Sequence, residues 1–247
     1  MSFADLILKL VYPPRCAICG ELIEASAEYV CFCEKCRSLW EQEKETPCPV
    51  CRQTPDNCIC ELQYNKSRTL DACRSLASYD GDAVKKLIFG IKNSADKDLF
   101  IFIGRELEML IFRKADLSDG DCVIAYPQRN KKARKKYGHD QAYLLAKTVS
   151  KDLGIPLFEG IKNVRGKEQK KLSERGRGEN AYKSYVIPEK YKGQLKGKRV
   201  ILIDDIVTTG ATAVSCAALC KLDGALSVSC FCVAKTPRRF LAKGDPS

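Results

Sequence analysis

Residues 200–213 read VILIDDIVTTGATA, and this stretch decides how the rest of the chain is interpreted. Its first four residues are large and aliphatic, which is typical of a strand buried on both faces of a parallel sheet. Two acids, Asp204 and Asp205, end the predicted strand and lead into a loop rich in threonine and glycine. We therefore predict a strand, an acidic pair, a loop and then a helix over Ala211–Leu222.

The loop over residues 207–212 has the composition of an anion-binding site. Gly210 allows the backbone to turn its N–H groups toward one point, at the positive N-terminal end of the predicted helix. Threonine hydroxyls add further donors. The candidate phosphate-binding residues are Val207, Thr208, Thr209, Gly210, Ala211 and Thr212. A buried strand that simply ends in two solvated acids is the alternative interpretation.

Composition indicates a protein of one or two folded domains. The chain has 247 residues, of which 45% are hydrophobic, and this is ample for a core. Residues 3–11 are apolar but short and interrupted by charges, so they predict an amphipathic helix rather than a membrane span or a signal peptide. We expect no membrane insertion and a cytoplasmic location. In such a reducing compartment, clustered cysteines bind metal more often than they form disulfides.

Short-spaced cysteines fill the first quarter of the chain. Two thiolates separated by two residues can chelate one ion from a tight turn, and two such turns complete a tetrahedral zinc site. We predict two structural Zn²⁺ sites, formed by Cys16, Cys19, Cys33 and Cys36, and by Cys48, Cys51, Cys58 and Cys60. Cys31 is an alternative ligand, and the Cys58-x-Cys60 spacing departs from the usual gap. Free, merely buried thiols are the other interpretation.

Positive charge is concentrated in the middle of the chain. The net charge is +11, but residues 1–70 have a net charge of −2 and residues 129–177 a net charge of +10. Such a segment attracts polyphosphates, nucleic acids or acidic proteins, and its charge alone does not choose among them. The predicted nucleic-acid patch contains Lys131, Lys132, Arg134, Lys135, Lys136, Lys170 and Lys171. A solvated lysine-rich surface is the alternative.

From residue 76 onward, the hydrophobic pattern alternates between strands and helices. It predicts strands over residues 75–79, 122–126 and 155–158, and helices over residues 83–92, 99–112 and 142–153. The alternation predicts an α/β fold with a mainly parallel sheet of about five strands flanked by helices. The predicted divisions are an N-terminal helix and double zinc-ribbon module (1–62), a linker (63–75), the α/β domain (76–240) and a tail (241–247).

The basic run after the predicted strand 122–126 lies where open α/β sheets bind ligands, beyond the carboxyl end of a strand. Arg129, Lys131 and Lys132 are therefore candidates for holding a pyrophosphate group. Residues 162–180 contain three glycines and no apolar helical face. They predict a mobile loop that closes over a charged substrate, with an exposed linker as the alternative.

The acidic pair and its loop resemble the phosphoribosyl-pyrophosphate (PRPP) signature of the type I phosphoribosyltransferases. The resemblance implies that Asp204 and Asp205 are the catalytic pair and bind the two ribose hydroxyls, while residues 207–212 hold the 5′-phosphate. It also implies a reaction at the anomeric carbon of the ribose, with Mg²⁺-pyrophosphate as the leaving group. The α/β domain would then have the type I phosphoribosyltransferase fold.

Over nearly its whole length, the chain resembles the ComF, or competence protein F, family of phosphoribosyltransferase-like proteins. The shared features are Pro-Pro-Arg-Cys-x-x-Cys over residues 13–19, Tyr79-x-Gly81, Lys92, Gly138-x-x-Gln141, Gln169-x-x-Leu172 and Arg177-x-x-Asn180. The family's turn usually reads Arg-Gly-Phe-Asn-Gln, and here Tyr137, His139 and Asp140 replace three of its residues. His139 is the only histidine, and we interpret it as a structural or surface residue because no partner is visible.

The ComF resemblance implies a role in natural transformation, in which the protein handles incoming single-stranded DNA beside a helicase-like partner. The implied ligands are PRPP and single-stranded DNA, and the implied cofactors are two Zn²⁺ ions and Mg²⁺. One alternative is a non-catalytic competence factor that binds single-stranded nucleic acid and keeps the PRPP pocket. Another is a phosphoribosyltransferase of nucleobase salvage. The sequence shows no recognisable base-binding hood, so it does not identify an acceptor.

Overall fold

The computed structural model describes residues 13–23, 31–65, 68–93, 96–117, 120–130, 134–136, 138–164 and 184–237. The predicted helix over residues 3–11 and most of the predicted loop over residues 162–180 lie outside these ranges, as do Lys131, Lys132, Tyr137, Lys170 and Lys171. Within these ranges, no helix is long and apolar enough to cross a membrane.

A parallel sheet forms the centre of the described chain. Its strands are β1 (Ala72–Ser78), β2 (Cys122–Ala125), β3 (Leu157–Phe158), β6 (Arg199–Val207) and β7 (Ser227–Lys235). The order of these five described strands is β1-β7-β6-β2-β3, and every neighbouring pair is parallel. Two short strands, β4 (Lys162–Asn163) and β5 (Tyr185–Val186), form a separate antiparallel pair. The predicted mainly parallel sheet is confirmed.

The described helices are α1 (Glu34–Glu45), α2 (Asp82–Asn93), α3 (Lys97–Lys114), α4 (Gln141–Leu153) and α5 (Ala211–Leu222), with 3₁₀ turns at Pro55–Asn57 and Glu189–Tyr191. Acidic caps define two of the starts. Asp96 accepts hydrogen bonds from the backbone N–H groups of Asp98 and Leu99 at the start of α3, and Asp140 caps α4. The helix predicted over Ala211–Leu222 has those bounds.

Several boundaries differ from the sequence-based expectation. β1 begins at Ala72, inside the segment predicted as a linker, because its register with β7 begins at Ala72 and Ser229. α3 extends two residues beyond each end of the predicted helix 99–112, since Asp96 caps its first turn. β3 contains two residues rather than four. β6 continues to Val207, so the paired acids lie within the strand rather than after it.

Helices cover both faces of the sheet. On one face, β-strand side chains such as Ile124, Ile203 and Phe231 pack against α1, α2, α3 and α4, with Trp40 fully buried among them. On the other face, side chains such as Val200 and Leu202 pack against α5. The buried aliphatic strands thus explain the layered α/β architecture, and the predicted fold class is confirmed.

The sheet has a topological switch point between β6 and β2. The chain leaves β2 through α4 to β3 on one side, and leaves β6 through α5 to β7 on the other. α4 and α5 pack on opposite faces of the sheet. Because the pairing of β2 with β6 ends at Ala125 and Leu202, the remainder of β6 borders an open crevice. Open α/β sheets bind ligands in such crevices.

Candidate functional site

Asp204 and Asp205 lie on the part of β6 that borders the crevice. Both residues are almost buried, at 9% and 4% exposure. An Asp204 carboxylate oxygen accepts a hydrogen bond from the backbone N–H of Asp205 at 2.9 Å, and Asp205 accepts one from Ile206 N–H at 2.9 Å. Burial, followed by the neighbouring charge of Asp205, raises the pKa of Asp204 well above its ordinary value. Burial therefore disfavours the charged form of Asp204 more strongly than that of an exposed aspartate.

Arg129 follows β2 and reaches across the crevice to β6. Its Nη2 atom lies 2.9 Å from Asp205 Oδ2, and the Asp205 side chain is almost fully shielded from solvent. The backbone N–H of Arg129 donates to Asp140 Oδ2 at 2.8 Å. The structure thus brings one of the predicted pyrophosphate ligands directly to the paired acids. The other two, Lys131 and Lys132, lie outside the described residues.

The turn that precedes α4 is held by three consecutive side chains. Asp140 Oδ1 accepts a hydrogen bond from Tyr143 N–H at 3.3 Å, His139 Nε2 lies 3.1 Å from the Ile91 carbonyl oxygen, and Gln141 Nε2 donates to the Lys92 carbonyl at 2.9 Å. These contacts tie the end of α2 to the start of α4. Since Asp140 also binds the Arg129 backbone, the turn fixes the position of the crevice arginine. His139 has structural contacts, in keeping with its interpretation from the sequence.

The loop after β6 carries the candidate phosphate-binding groups. Gly210 is the N-cap residue of α5 and has a φ of +86°, a conformation that favours glycine. Thr208 is exposed, and Thr209 and Thr212 are half-buried. Thr209 Oγ1 accepts a hydrogen bond from the backbone N–H of Ala211 at 3.4 Å. Hydroxyls and a helix N-terminus therefore meet at the carboxyl end of the sheet, an arrangement that suits a phosphate group.

Leu62 lies against this loop from the cysteine-rich side. A Cβ atom on Gly210 would come within 2.7 Å of Leu62 Cβ, so a larger residue would displace one of the two segments. Next to this contact, the Tyr64 backbone N–H donates to the Thr209 carbonyl at 3.4 Å. Leu62 follows Cys60 by two residues. The cysteine-rich module therefore forms part of the support of the loop.

Tyr185 on β5 is a site residue that the sequence analysis does not identify. Its phenol group lies near the side chains of Asn163 and of Thr212 in the loop, and both favour the ionised phenol. Burial, and then the charges of Cys216 and Asp204, raises the pKa of Tyr185 to about 12. The phenol therefore stays neutral and links the β4–β5 pair to the loop. No motif marks it, because it lies in a two-residue strand.

The first cysteine group contains the sulfurs of Cys16, Cys19, Cys33 and Cys36, which all lie within 4.8 Å of one another. The Sγ atoms of Cys19 and Cys33 are 3.7 Å apart. Tetrahedral zinc with Zn–S bonds of about 2.3 Å needs sulfurs roughly 3.8 Å apart, so the group fits the ion. Cys33 is the N-cap residue of α1, so this helix begins directly at the group.

The second group contains Cys48, Cys51, Cys58 and Cys60, again within 4.8 Å. The sulfur pairs Cys48–Cys60 and Cys51–Cys58 are each 3.7 Å apart, so this group also fits zinc. The one-residue gap after Cys58 still brings the Cys60 sulfur into the group. Among the described cysteines, Cys31 lies outside both groups, and burial raises its pKa to about 12.

The described part of the predicted nucleic-acid patch lies beside the crevice. Arg134, Lys135 and Lys136 are exposed and form a helical turn, in which Arg134 N–H donates to the Asn130 carbonyl at 3.0 Å. This turn follows Arg129 in the segment after β2. Lys131, Lys132, Lys170 and Lys171 of the patch lie outside the described ranges. Binding of nucleic acid by the patch stays a prediction.

Comparison with known protein families gives one match. Residues 139–245 match the model of the phosphoribosyl transferase domain. The matched region is less than half of the chain and includes β6, the loop and α5. None of the curated proteins compared with the chain is significantly similar to it in sequence.

Several solved structures match part of the chain. Phosphoribosylpyrophosphate synthetase from Mycobacterium smegmatis is 24% identical, with 57% of this chain and 33% of that chain covered and a TM-score of 0.30. Adenine phosphoribosyltransferase from Leishmania tarentolae is 18% identical, with coverages of 60% and 74% and a TM-score of 0.36. Purine phosphoribosyltransferase from Pyrococcus horikoshii Ot3 is 19% identical, with coverages of 61% and 90% and a TM-score of 0.34.

The chain spans about a third or less of the first structures it matches, namely 33% of the Mycobacterium smegmatis synthetase and 27% of a Leishmania donovani UMP synthase. Similarity over so small a part of those proteins does not show which ligands this chain binds. The match to the family model is a separate finding from the structural matches. It covers the paired acids and the loop at the switch point. Residues 139–245 thus match the phosphoribosyl transferase domain model, and two cysteine groups compatible with zinc-ribbon modules precede them in the chain.

Proposed function

We propose that this protein is a phosphoribosyltransferase that binds Mg²⁺-PRPP in the crevice between β6 and β2. The observation that carries the proposal is the convergence of Arg129, Asp205 and the threonine-rich loop at the switch point, with the acid and the loop inside the region that matches the family. Each of these groups has a counterpart in PRPP. The cation suits the pyrophosphate, and the carboxylates suit the ribose hydroxyls. The helix N-terminus suits the 5′-phosphate.

In this proposal, different residues bind the ribose, the 5′-phosphate and the pyrophosphate of PRPP. Asp204 and Asp205 accept hydrogen bonds from the ribose hydroxyls. The 5′-phosphate takes hydrogen bonds from the Thr208, Thr209 and Thr212 hydroxyls and from the backbone over residues 207–212. Arg129, together with Lys131 and Lys132, neutralises the pyrophosphate.

During transfer, the bond between the anomeric carbon and the pyrophosphate oxygen breaks, and the acceptor forms a new bond to that carbon. Mg²⁺ bound to the substrate neutralises charge on the pyrophosphate. Positive charge that develops on the ribose is stabilised by the carboxylate of Asp205, which is held in place by Arg129 at 2.9 Å. Leu62 and Gly210 keep the loop in position behind the 5′-phosphate, so the ribose is oriented before the reaction begins.

We infer further that the protein acts in natural transformation as a cytoplasmic member of the ComF family, with single-stranded DNA as a second ligand and a helicase-like protein as its partner. The ComF motifs in the sequence and the exposed cations Arg134, Lys135 and Lys136 beside the crevice support this role. Binding to DNA would be mainly ionic, because residues 129–147 contain only two tyrosines, Tyr137 and Tyr143, and neither phenylalanine nor tryptophan for base stacking. A binding protein without catalysis, or a nucleobase salvage enzyme, would use the same crevice.

The reaction is tested by mixing the zinc-loaded protein with Mg²⁺-PRPP and a panel of nucleobases, and measuring released pyrophosphate. Release that depends on one acceptor establishes the transferase and identifies its substrate. PRPP binding without release for any acceptor would favour the non-catalytic alternative. In a separate titration with single-stranded DNA, replacing Lys135 and Lys136 by Ala should weaken binding and flatten its dependence on salt. Unchanged affinity and salt dependence would contradict the DNA-binding role of this turn.

A further inference from the structure

Three cysteines outside the metal-binding groups form a cluster on adjacent strands. Cys73 on β1 and Cys230 on β7 are register partners, and Cys232 follows two residues later on the same face of β7. Their side chains pack in the core that faces α5. Cys230 and Cys232 are fully buried, whereas Cys73 is half-buried.

Strand geometry selects one pair from this cluster. Neighbouring strands are about 4.8 Å apart, which lies inside the Cα separation of roughly 4.4–6.8 Å that disulfides require. Register partners in a parallel pair also point to the same face, so the Cys73 and Cys230 side chains lie next to each other across β1 and β7, and a small approach of the two Cβ atoms would allow a bond. Cys230 and Cys232 are two residues apart on one strand, about 6.6 Å, which is less favourable.

Cys73 is also open to small molecules. It lines a cavity of about 420 Å³, together with Cys58, Leu62, Arg68, Arg74 and neighbouring residues. β1 is an edge strand of the described sheet, so the cavity borders a strand side that no other described strand covers. The cavity is therefore large enough to bring a small reagent to the Cys73 residue.

The environment of Cys73 favours its reactive form. Hydrogen bonds from the thiols of Cys230 and Cys232 lower the pKa of Cys73 well below its ordinary value. The other core cysteines differ. Burial raises the pKa of Cys220 to about 12 and that of Cys216 well above its ordinary value, and the Cys122 thiol donates to the Asp116 carbonyl at 3.4 Å.

We propose that Cys73 and Cys230 form a thiol–disulfide site that reacts with low-molecular-weight disulfides. The Cys73 thiolate attacks the small disulfide, forms a mixed disulfide and releases one small thiol. Cys230 then attacks Cys73 Sγ, forms the Cys73–Cys230 bond and releases the second small thiol. The protein pair loses two electrons, the small disulfide gains them, and the two protein thiol protons end on the released thiols.

This site lies one strand away from the paired acids. Cys232 neighbours the proposed bond on β7 and is the register partner of Asp204 on β6. The chemistry of the cysteine pair is nevertheless independent of PRPP binding, and it can be tested in the absence of any phosphoribosyl substrate.

The test treats the full-length, zinc-loaded protein with glutathione disulfide, blocks the remaining thiols by alkylation in acid, and maps the peptides by mass spectrometry. The expected product is a Cys73–Cys230 cross-link that dithiothreitol reverses, with no release of zinc. In Cys230→Ser, Cys73 should instead keep a glutathione adduct. The matched control Cys216→Ser changes another buried thiol of the same core and should still form the cross-link.

Two results would overturn the proposal. One is recovery of Cys73 and Cys230 as alkylated free thiols after treatment, and the other is disulfides confined to the cysteines of the metal groups. Because Cys230→Ser alters a fully buried core residue, the untreated wild-type protein provides a second measurement. Cys73 should react with a small alkylating reagent at least tenfold faster than Cys216, and equal rates would also overturn it.

Discussion

The two cysteine groups begin with the same turn but contact different parts of the α/β domain. In each, the residue four positions after the first cysteine has a positive φ and donates its N–H to that cysteine's carbonyl at 2.8 Å; these residues are Gly20 and Arg52. The first group packs on the helical side, where the Ala17 carbonyl lies 3.0 Å from the position of a Cβ on Gly90. The second group continues into Leu62, which contacts the loop after β6.

The charges around the two groups differ as well. The Cys19 thiol lies 3.6 Å from a carboxylate oxygen of Glu21, whereas a buried lysine, Lys235, lies beside the second group. Burial of Lys235 disfavours its charge, but the nearby cysteines Cys73 and Cys58 outweigh this and raise its pKa. The same type of turn thus occurs in two groups with different roles. The first group stabilises the helical side of the domain, and the second supports the candidate substrate site.

Among the variants that test this comparison of the two cysteine groups, removal of one ligand from each group should give the largest effects. Cys36→Ser and Cys60→Ser should each lose one of two zinc ions, because a structural site with three thiolates binds the ion much more weakly. Cys36→Ser should lower the thermal unfolding temperature with little change in PRPP affinity per folded molecule. Cys60→Ser should weaken PRPP binding at least tenfold, since it frees the segment that contains Leu62. Zinc analysis, calorimetry and PRPP titration measure these outcomes. Equal losses of PRPP affinity in the two variants would contradict the claim that only the second group supports the substrate site.

A substitution at the contact itself separates the loop from the metal. Gly210→Ala should keep both zinc ions but lower stability by about 1–3 kcal/mol and weaken PRPP binding about tenfold, because its φ is +86° and the new Cβ would meet Leu62. Gly120→Ala is the matched control, since Gly120 has a φ of +66° and no neighbouring atom within 4 Å of its Cβ position. It should lose stability only, without effect on PRPP. Equal PRPP affinities for the two variants would show that Leu62 does not shape the loop.

The smallest expected effect concerns pH. The pKa of Asp204 is raised by burial and by Asp205, so the carboxyl group must lose a proton before it accepts hydrogen bonds from the ribose as a carboxylate. PRPP affinity should therefore rise with pH through the raised pKa and level off above it. Titrations over a pH series measure the effect, and Asp204→Asn should remove the part that belongs to this residue. The same pH dependence in the variant would assign it to another group.

The sequence predicts the local order of the site but not its tertiary contacts. Aliphatic residues 200–203, the acids and the glycine-threonine loop specify β6 and α5, because each signal is local. The grouping of the eight cysteines also follows from spacing, apart from the one-residue gap after Cys58, which departs from the usual chelating pattern. The extension of β6 to Val207 depends on β7. Pairing across a sheet does not appear in the pattern of one strand.

The contacts that join distant segments are those the sequence does not reveal. Leu62 and Gly210 are 148 positions apart, and nothing in the composition of either segment indicates that they meet. Arg129 and Asp205 each have a local interpretation, but their ion pair depends on the parallel alignment of β2 and β6. Asp140 carries a usable signal, since an acid before an apolar helical run predicts an N-cap. Its bond to the Arg129 backbone does not follow from that signal.

The central claim is that the acids of β6 recognise ribose, and calorimetric titration with Mg²⁺-PRPP tests it most directly. The wild-type protein should bind. The double substitution Asp204→Asn and Asp205→Asn keeps the shape of both side chains but removes the charge, and two charge-assisted hydrogen bonds of about 1.5–3 kcal/mol each predict at least roughly a hundredfold weaker binding. Zinc content and unfolding temperature serve as controls for folding. Wild-type affinity in the folded double variant would contradict the account of this crevice as a ribose-phosphate site.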